Sequence, residues 1–109
     1  MGKSIEERAV HYLQQELPYQ TQILAPFALP AIASRMTYVD MESVPSEIAS
    51  AKGLWEWLDQ VDIRAIYVDR RYEVKSDVSP LVEGGLGQYF DVGFTADEST
   101  LRVYIPRPK

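Results

Sequence analysis

The sequence predicts an α+β domain in two layers: an antiparallel sheet of three to four strands with two helices packed on one of its faces. Two segments repeat apolar residues at the three-and-four spacing of a helix that buries one stripe. Others alternate apolar and polar residues, as half-buried strands do. A chain of 109 residues, 46% hydrophobic and 25% charged, fills one modest core, so residues 1–109 are read as a single domain.

The first helix is expected over residues 4–17. Ser4-Ile5-Glu6-Glu7 has the form of a capping box, in which the serine oxygen accepts a backbone N–H three residues on and Glu7 reaches back. Ile5, Ala9, Tyr12, Leu13 and Leu17 fall on one stripe, and His11 falls on the opposite, solvent side. Pro18 stops the helix.

Prolines at 18, 26, 30 and 45 forbid a long helix in the next stretch. The apolar run "ILAPFALPAIA" suits an edge strand or an extended segment packed on the core. Ser34 to Met41 alternates as a strand, with Met36, Tyr38 and Asp40 facing one way.

The second helix is expected over residues 46–61, with Ser46 as N-cap after Pro45. Ile48, Ala51, Trp55 and Leu58 recur at helical spacing, and Leu54 and Val61 widen the stripe. Within it, "GLWEWLDQ" places both tryptophans two residues apart. On a strand they share a face; on a helix they lie about 200° apart. A helix puts Trp55 in the stripe and Trp57 near its edge, either under the proline-rich segment or anchoring a partner. Gly53 opposes the helix by about 1 kcal/mol; the alternative is a short helix that ends at Gly53, with Leu54–Leu58 as a strand and both tryptophans on one face.

Residues 62–76 read as one long strand or a tight hairpin; as one strand they put Ile66, Val68, Tyr72 and Val74 on the apolar side. Arg70 also falls on that side, which implies a bulge or turn at Asp69–Arg71. Gly84, Gly85 and Gly87 make a flexible connection that precedes a strand, so it lacks the strand-loop-helix setting of a phosphate loop. Residues 88–106 read as a hairpin with "ADES" as its loop and Thr95 opposite Thr100. That register gathers Phe90, Val92, Phe94, Leu101, Val103 and Ile105 on one face. The closing "PRPK" reads as a frayed basic tail.

Composition narrows the function. The absence of cysteine removes disulfides, thiol nucleophiles and cysteine–zinc sites, and a lone histidine makes a histidine metal site or a Ser-His triad hard to build. No metal or cofactor is therefore expected. A net charge of −5 is opposite to that of a general phosphate-backbone binder, so no nucleic-acid partner is expected. No segment is apolar for long enough to span a bilayer, and there is no basic-then-apolar leader, so the expectation is a cytoplasmic protein without a membrane partner.

With both helices on one face, the other face of the sheet carries Tyr67, Asp69, Arg71, Glu73, Lys75, Tyr89, Asp91, Arg102 and Tyr104. Tyrosine and arginine are enriched at protein interfaces. The first functional reading is a non-enzymatic module that binds a protein or a second copy of itself, as a homodimer. Its contact residues are Tyr67, Arg71, Tyr89, Arg102 and Tyr104, with Trp57 as an anchor. An alternative is an apolar pocket between sheet and helices, lined by Phe27, Leu29, Tyr38, Trp55 and Trp57, that takes a small molecule. A third starts at Glu73-Val74-Lys75, which, with Asp62 or Asp69 upstream, resembles the D…(D/E)-x-K arrangement of metal-dependent nucleases. On one straight strand Asp62 lies roughly 35 Å from Glu73, so a shared metal requires Asp69 and a bent strand.

Overall fold

The computed structural model describes residues 4–27, 36–74 and 76–109. Within them the fold is α+β. Helix α1 (Ile5–Glu16) precedes strands β1 (Gln22–Ala25) and β2 (Thr37–Asp40). A 3₁₀ turn (Met41–Ser43) leads to α2 (Ala51–Gln60), β3 (Ile63–Asp69), α3 (Ser79–Glu83), β4 (Phe90–Ala96) and β5 (Leu101–Pro106).

The sheet is five-stranded, in the order β2-β1-β3-β5-β4. It is mixed, not antiparallel as expected: β1 runs parallel to both β2 and β3, while β5 runs antiparallel to β3 and β4. The parallel pairs join segments far apart in sequence, such as Leu24 with Ile66.

Helices cover both faces of the sheet, which corrects the expectation of two layers. On one side Ala9, Val10 and Leu13 of α1 pack with Ile23, Ala25, Ala65, Tyr67, Leu101 and Val103. On the other, Leu54 and Leu58 of α2 and Val82 of α3 pack with Leu24, Ile66, Val68, Phe90 and Tyr104. Alternation along each strand feeds the two clusters in turn. β3 shows the consequence: Ala65, Ile66, Tyr67 and Val68 are all buried, as in a strand covered on both sides. Ile63 joins the second cluster because a bulge between β1 and β3 leaves Arg64 without a β1 partner.

Ser4 caps α1 as expected, its Oγ accepting the Glu7 N–H at 3.2 Å. The second helix starts later than expected. Ser50, not Ser46, is its N-cap and accepts the Gly53 N–H at 3.0 Å, while the chain before it turns through a bond from the Ile48 N–H to the Pro45 carbonyl. Gly53 therefore sits in the first turn, and both tryptophans lie on the helix.

The hairpin forms in a different register. Thr95 pairs with Arg102 and Ala96 with Leu101, so the loop is 97–100. A bulge between Val92 and Phe94 then sends Phe94 to the first cluster and Phe90 to the second, splitting the single face that was expected. Gly93 permits the bulge: a Cβ there would lie 2.2 Å from the Tyr12 hydroxyl and 2.8 Å from Ile105 Cγ1.

The basic tail is docked, not frayed. The Arg107 N–H donates to the Tyr89 carbonyl at 2.8 Å, and the Trp55 indole N–H donates to the Arg107 carbonyl at 2.7 Å. Lys109 Nζ lies 5.3 Å from the Trp55 ring centroid and 3.7 Å from the Asp59 carboxylate. Among the described residues, no helix is long and apolar enough to cross a membrane.

Candidate functional site

A cleft of about 570 Å³ opens at the sheet end where β1 and β3 both finish, lined by residues that include Pro26, Met41, Asp69, Arg70, Glu73, Asp77 and Glu83. Ligands of open sheets with parallel strands bind outside the carboxyl ends of those strands.

Asp69 ends β3, and its side chain is fully buried. A buried carboxylate needs a charge partner and hydrogen bonds. The chain turns at Arg70–Arg71, close to where Arg70 had implied a break, and this turn brings Arg71 back onto Asp69. Asp69 Oδ1 accepts from the Arg71 backbone N–H and Nε, each at 3.0 Å, and Oδ2 accepts from Nη2 at 2.6 Å. Arg71 Nη2 also reaches Glu6 in the first turn of α1. One guanidinium thus ties the end of β3 to α1. The two carboxylates, Asp69 first, raise the Arg71 pKa above its already high value. Arg71 in turn holds the Glu6 carboxyl below its ordinary range.

A second ion pair spans the cleft's own lining, between Arg70 and Glu83 of α3. Glu83 also accepts the Tyr104 hydroxyl at 3.3 Å. Asp77 organises the entry to α3: its two oxygens accept the Ser79 backbone N–H and hydroxyl, each at 2.9 Å.

The Tyr/Arg contact face read from the sequence is not assembled. Tyr67 and Tyr104 are both fully buried, Tyr67 under α1 and Tyr104 on the other side against α2 and α3. The reason is the second helical layer: neither face of the central strand β3 is left to water. Burial raises the Tyr67 pKa, and among the described residues its hydroxyl has no hydrogen-bond partner. Arg71 is engaged with Asp69 and Glu6. Arg102 is half-buried and donates to Ser99 Oγ at 2.7 Å. Tyr89 is half-buried and packs on Trp55 with ring centroids 5.1 Å apart. Trp57 is half-buried against the second cluster.

The apolar pocket is not assembled either. Phe27 and Tyr38 pack on the first cluster, Trp55 and Trp57 on the second, so the sheet separates them. Leu29 lies outside the described residues. Tyr38 instead donates its hydroxyl to Asp40 Oδ2 at 2.7 Å, and its pKa is pushed up to about 12, by burial first and by Asp40 second.

The nuclease-like arrangement fares the same way. Asp62 and Asp69 flank opposite ends of β3, and Lys75 lies outside the described residues. Asp69 spends both oxygens on Arg71. Among the described residues, no group of three or more histidine or acidic side chains could hold a metal ion.

The sequence-based reading missed this cleft because a turn and a five-residue helix, α3, build it, and neither shows a strong hydrophobic period. The available signal was the acid density from Asp69 to Glu83. Comparisons with protein-family models, curated proteins and solved structures find no match to this chain.

Proposed function

We propose that the chain is a small, acidic, non-enzymatic module that binds another protein, with the cleft at the ends of β1 and β3 as its contact surface. One observation carries this reading: the charge of the cleft lining. Glu73, Asp77 and Glu83 line it at exposed positions, against Arg70, which pairs with Glu83, as the one cation among the described lining residues; Asp69 also lines it but is buried and neutralised by Arg71. The net charge of −5 extends the same sign over the whole molecule and favours encounter with a basic partner.

The test is fluorescence anisotropy with a labelled peptide that alternates lysine and leucine. Binding should weaken as salt rises, because exposed charges separated by more than about 10 Å are largely screened at 0.1 M. The exposed Glu73→Lys substitution should weaken it further. Salt-independent binding that ignores Glu73→Lys would remove the cleft from consideration. Native mass spectrometry of the unliganded protein addresses self-association: a dimer that persists in Glu73→Lys would place the self-contact elsewhere.

A further inference from the structure

We infer that the partner offers an extended segment of alternating basic and aliphatic residues, which runs from this cleft into a second groove beside it. The inference rests on the reading of the cleft as a contact surface and specifies what that surface recognises.

The second groove, about 660 Å³, lies between residues 42–48 and residues 76–81. Asp77 lines both cavities, so they adjoin at this residue. Consecutive residues Met41 and Glu42 line one cavity each, which brings the two close a second time. The two cavities therefore adjoin near the start of α3.

The groove has an apolar floor and an acidic rim. Val44, Ile48 and Leu81 are half-buried against the second core cluster, and Val78 is buried within it. Glu42 and Glu47 are exposed at the edge. Among the described residues that line the groove there is no lysine or arginine.

This chemistry selects one class of occupant. Anionic lipid headgroups and nucleic-acid phosphates would meet carboxylates with no counter-charge among the described residues of the groove. A polar cation alone would leave the aliphatic floor wet. An extended peptide sends successive side chains to opposite sides. It can therefore set leucine- or valine-like residues on Val44, Ile48 and Leu81 while lysine or arginine meets Glu42, Glu47 and Asp77. Peptide recognition by extended segments commonly uses such alternate pockets.

The experiment measures anisotropy of three labelled peptides, alternating lysine–leucine, lysine–serine and glutamate–leucine, against the full chain. It compares the native protein, Glu73→Lys in the cleft, and the Glu42→Lys/Glu47→Lys pair in the groove. All of these positions are exposed, and unchanged melting temperatures establish that the variants fold. The lysine–leucine peptide should bind best, with the lysine–serine peptide about fivefold weaker or more. Each variant should lose about fivefold or more of the lysine–leucine affinity. Loss with Glu73→Lys but not with the Glu42/Glu47 pair overturns the groove and leaves the cleft reading standing. Equal binding of the lysine–serine peptide overturns the aliphatic part and with it the inference. No loss in either variant, or equal binding of the glutamate–leucine peptide, overturns the inference and the cleft reading together.

Discussion

The indole N–H of Trp55 donates to the backbone carbonyl of Arg107 across 2.7 Å, joining helix α2 to the C-terminal tail. The same ring packs on Tyr89, whose own carbonyl accepts the Arg107 N–H. Two tryptophans two residues apart on one helix thus take different work: Trp55 holds the tail, while Trp57 covers the core. Trp55→Phe keeps most of the packing and removes the donor. It should cost about 1 kcal/mol and make the tail more susceptible to carboxypeptidase. A tail equally protected in this variant would mean that ring packing alone holds it.

Two buried tyrosines should respond oppositely to loss of their hydroxyls. Tyr67 buries an oxygen that has no partner among the described residues, so Tyr67→Phe should raise stability by about 1 kcal/mol. Tyr104 donates to Glu83, so Tyr104→Phe should lower stability by about the same amount. Urea denaturation of both variants checks the sign. A destabilised Tyr67→Phe would indicate that the hydroxyl has a partner.

Gly93 should tolerate no side chain while Tyr12 stands over it. Gly93→Ala would press a methyl group into the Tyr12 hydroxyl and Ile105. The expected cost is about 1–3 kcal/mol. Tyr12→Phe in the same chain removes the nearest atom and should return part of that loss. Thermal melts of the single and double variants decide it, and strictly additive effects would count against the clash.

Acid should weaken the fold partly through Glu6 and Asp40. Both carboxyls titrate below their ordinary range, Glu6 mainly through Arg71 and Asp40 mainly through the Glu42 backbone N–H, then the Tyr38 hydroxyl. A depressed folded pKa gives stability that is complete above the unfolded value and is lost as pH falls through the folded one. Glu6→Gln with Asp40→Asn should therefore flatten the fall of melting temperature on the acid side. Tyr38 acts at the alkaline end: its contribution is complete below the ordinary tyrosine value and is lost as pH rises through about 12. Asp40→Asn should lower the Tyr38 titration followed by ultraviolet absorbance.

Local chemistry was legible in the sequence and long-range pairing was not. Ser4 and Glu7 announce the first helix because the cap lies within four residues of chain. Ala65-Ile66-Tyr67-Val68 carries the signature of a strand covered on both faces, but forcing it into polar–apolar alternation assigned Tyr67 to solvent. The parallel pairing of β1 with β3 depends on contacts across some forty residues, and no local pattern encodes it. The Gly93 bulge depends on how closely Tyr12 approaches from another element. At the candidate site, Asp69 and Arg71 stood out as charged residues two apart. Their direct bond needed the turn that folds Arg71 back, which alternation along a strand hides.

The strand order β2-β1-β3-β5-β4 makes β3 the seam between a parallel half and a hairpin half. The hairpin can form from neighbouring chain, while the parallel half must wait for distant segments to meet, so the two halves are unequal in entropy of closure. Exchange of the Ile66 and Tyr67 amides with solvent deuterium requires the halves to part altogether. Exchange along the outer edge of β4 requires only fraying. The slowest protons in the molecule should therefore lie in a single strand, and their rate measures the stability of the whole.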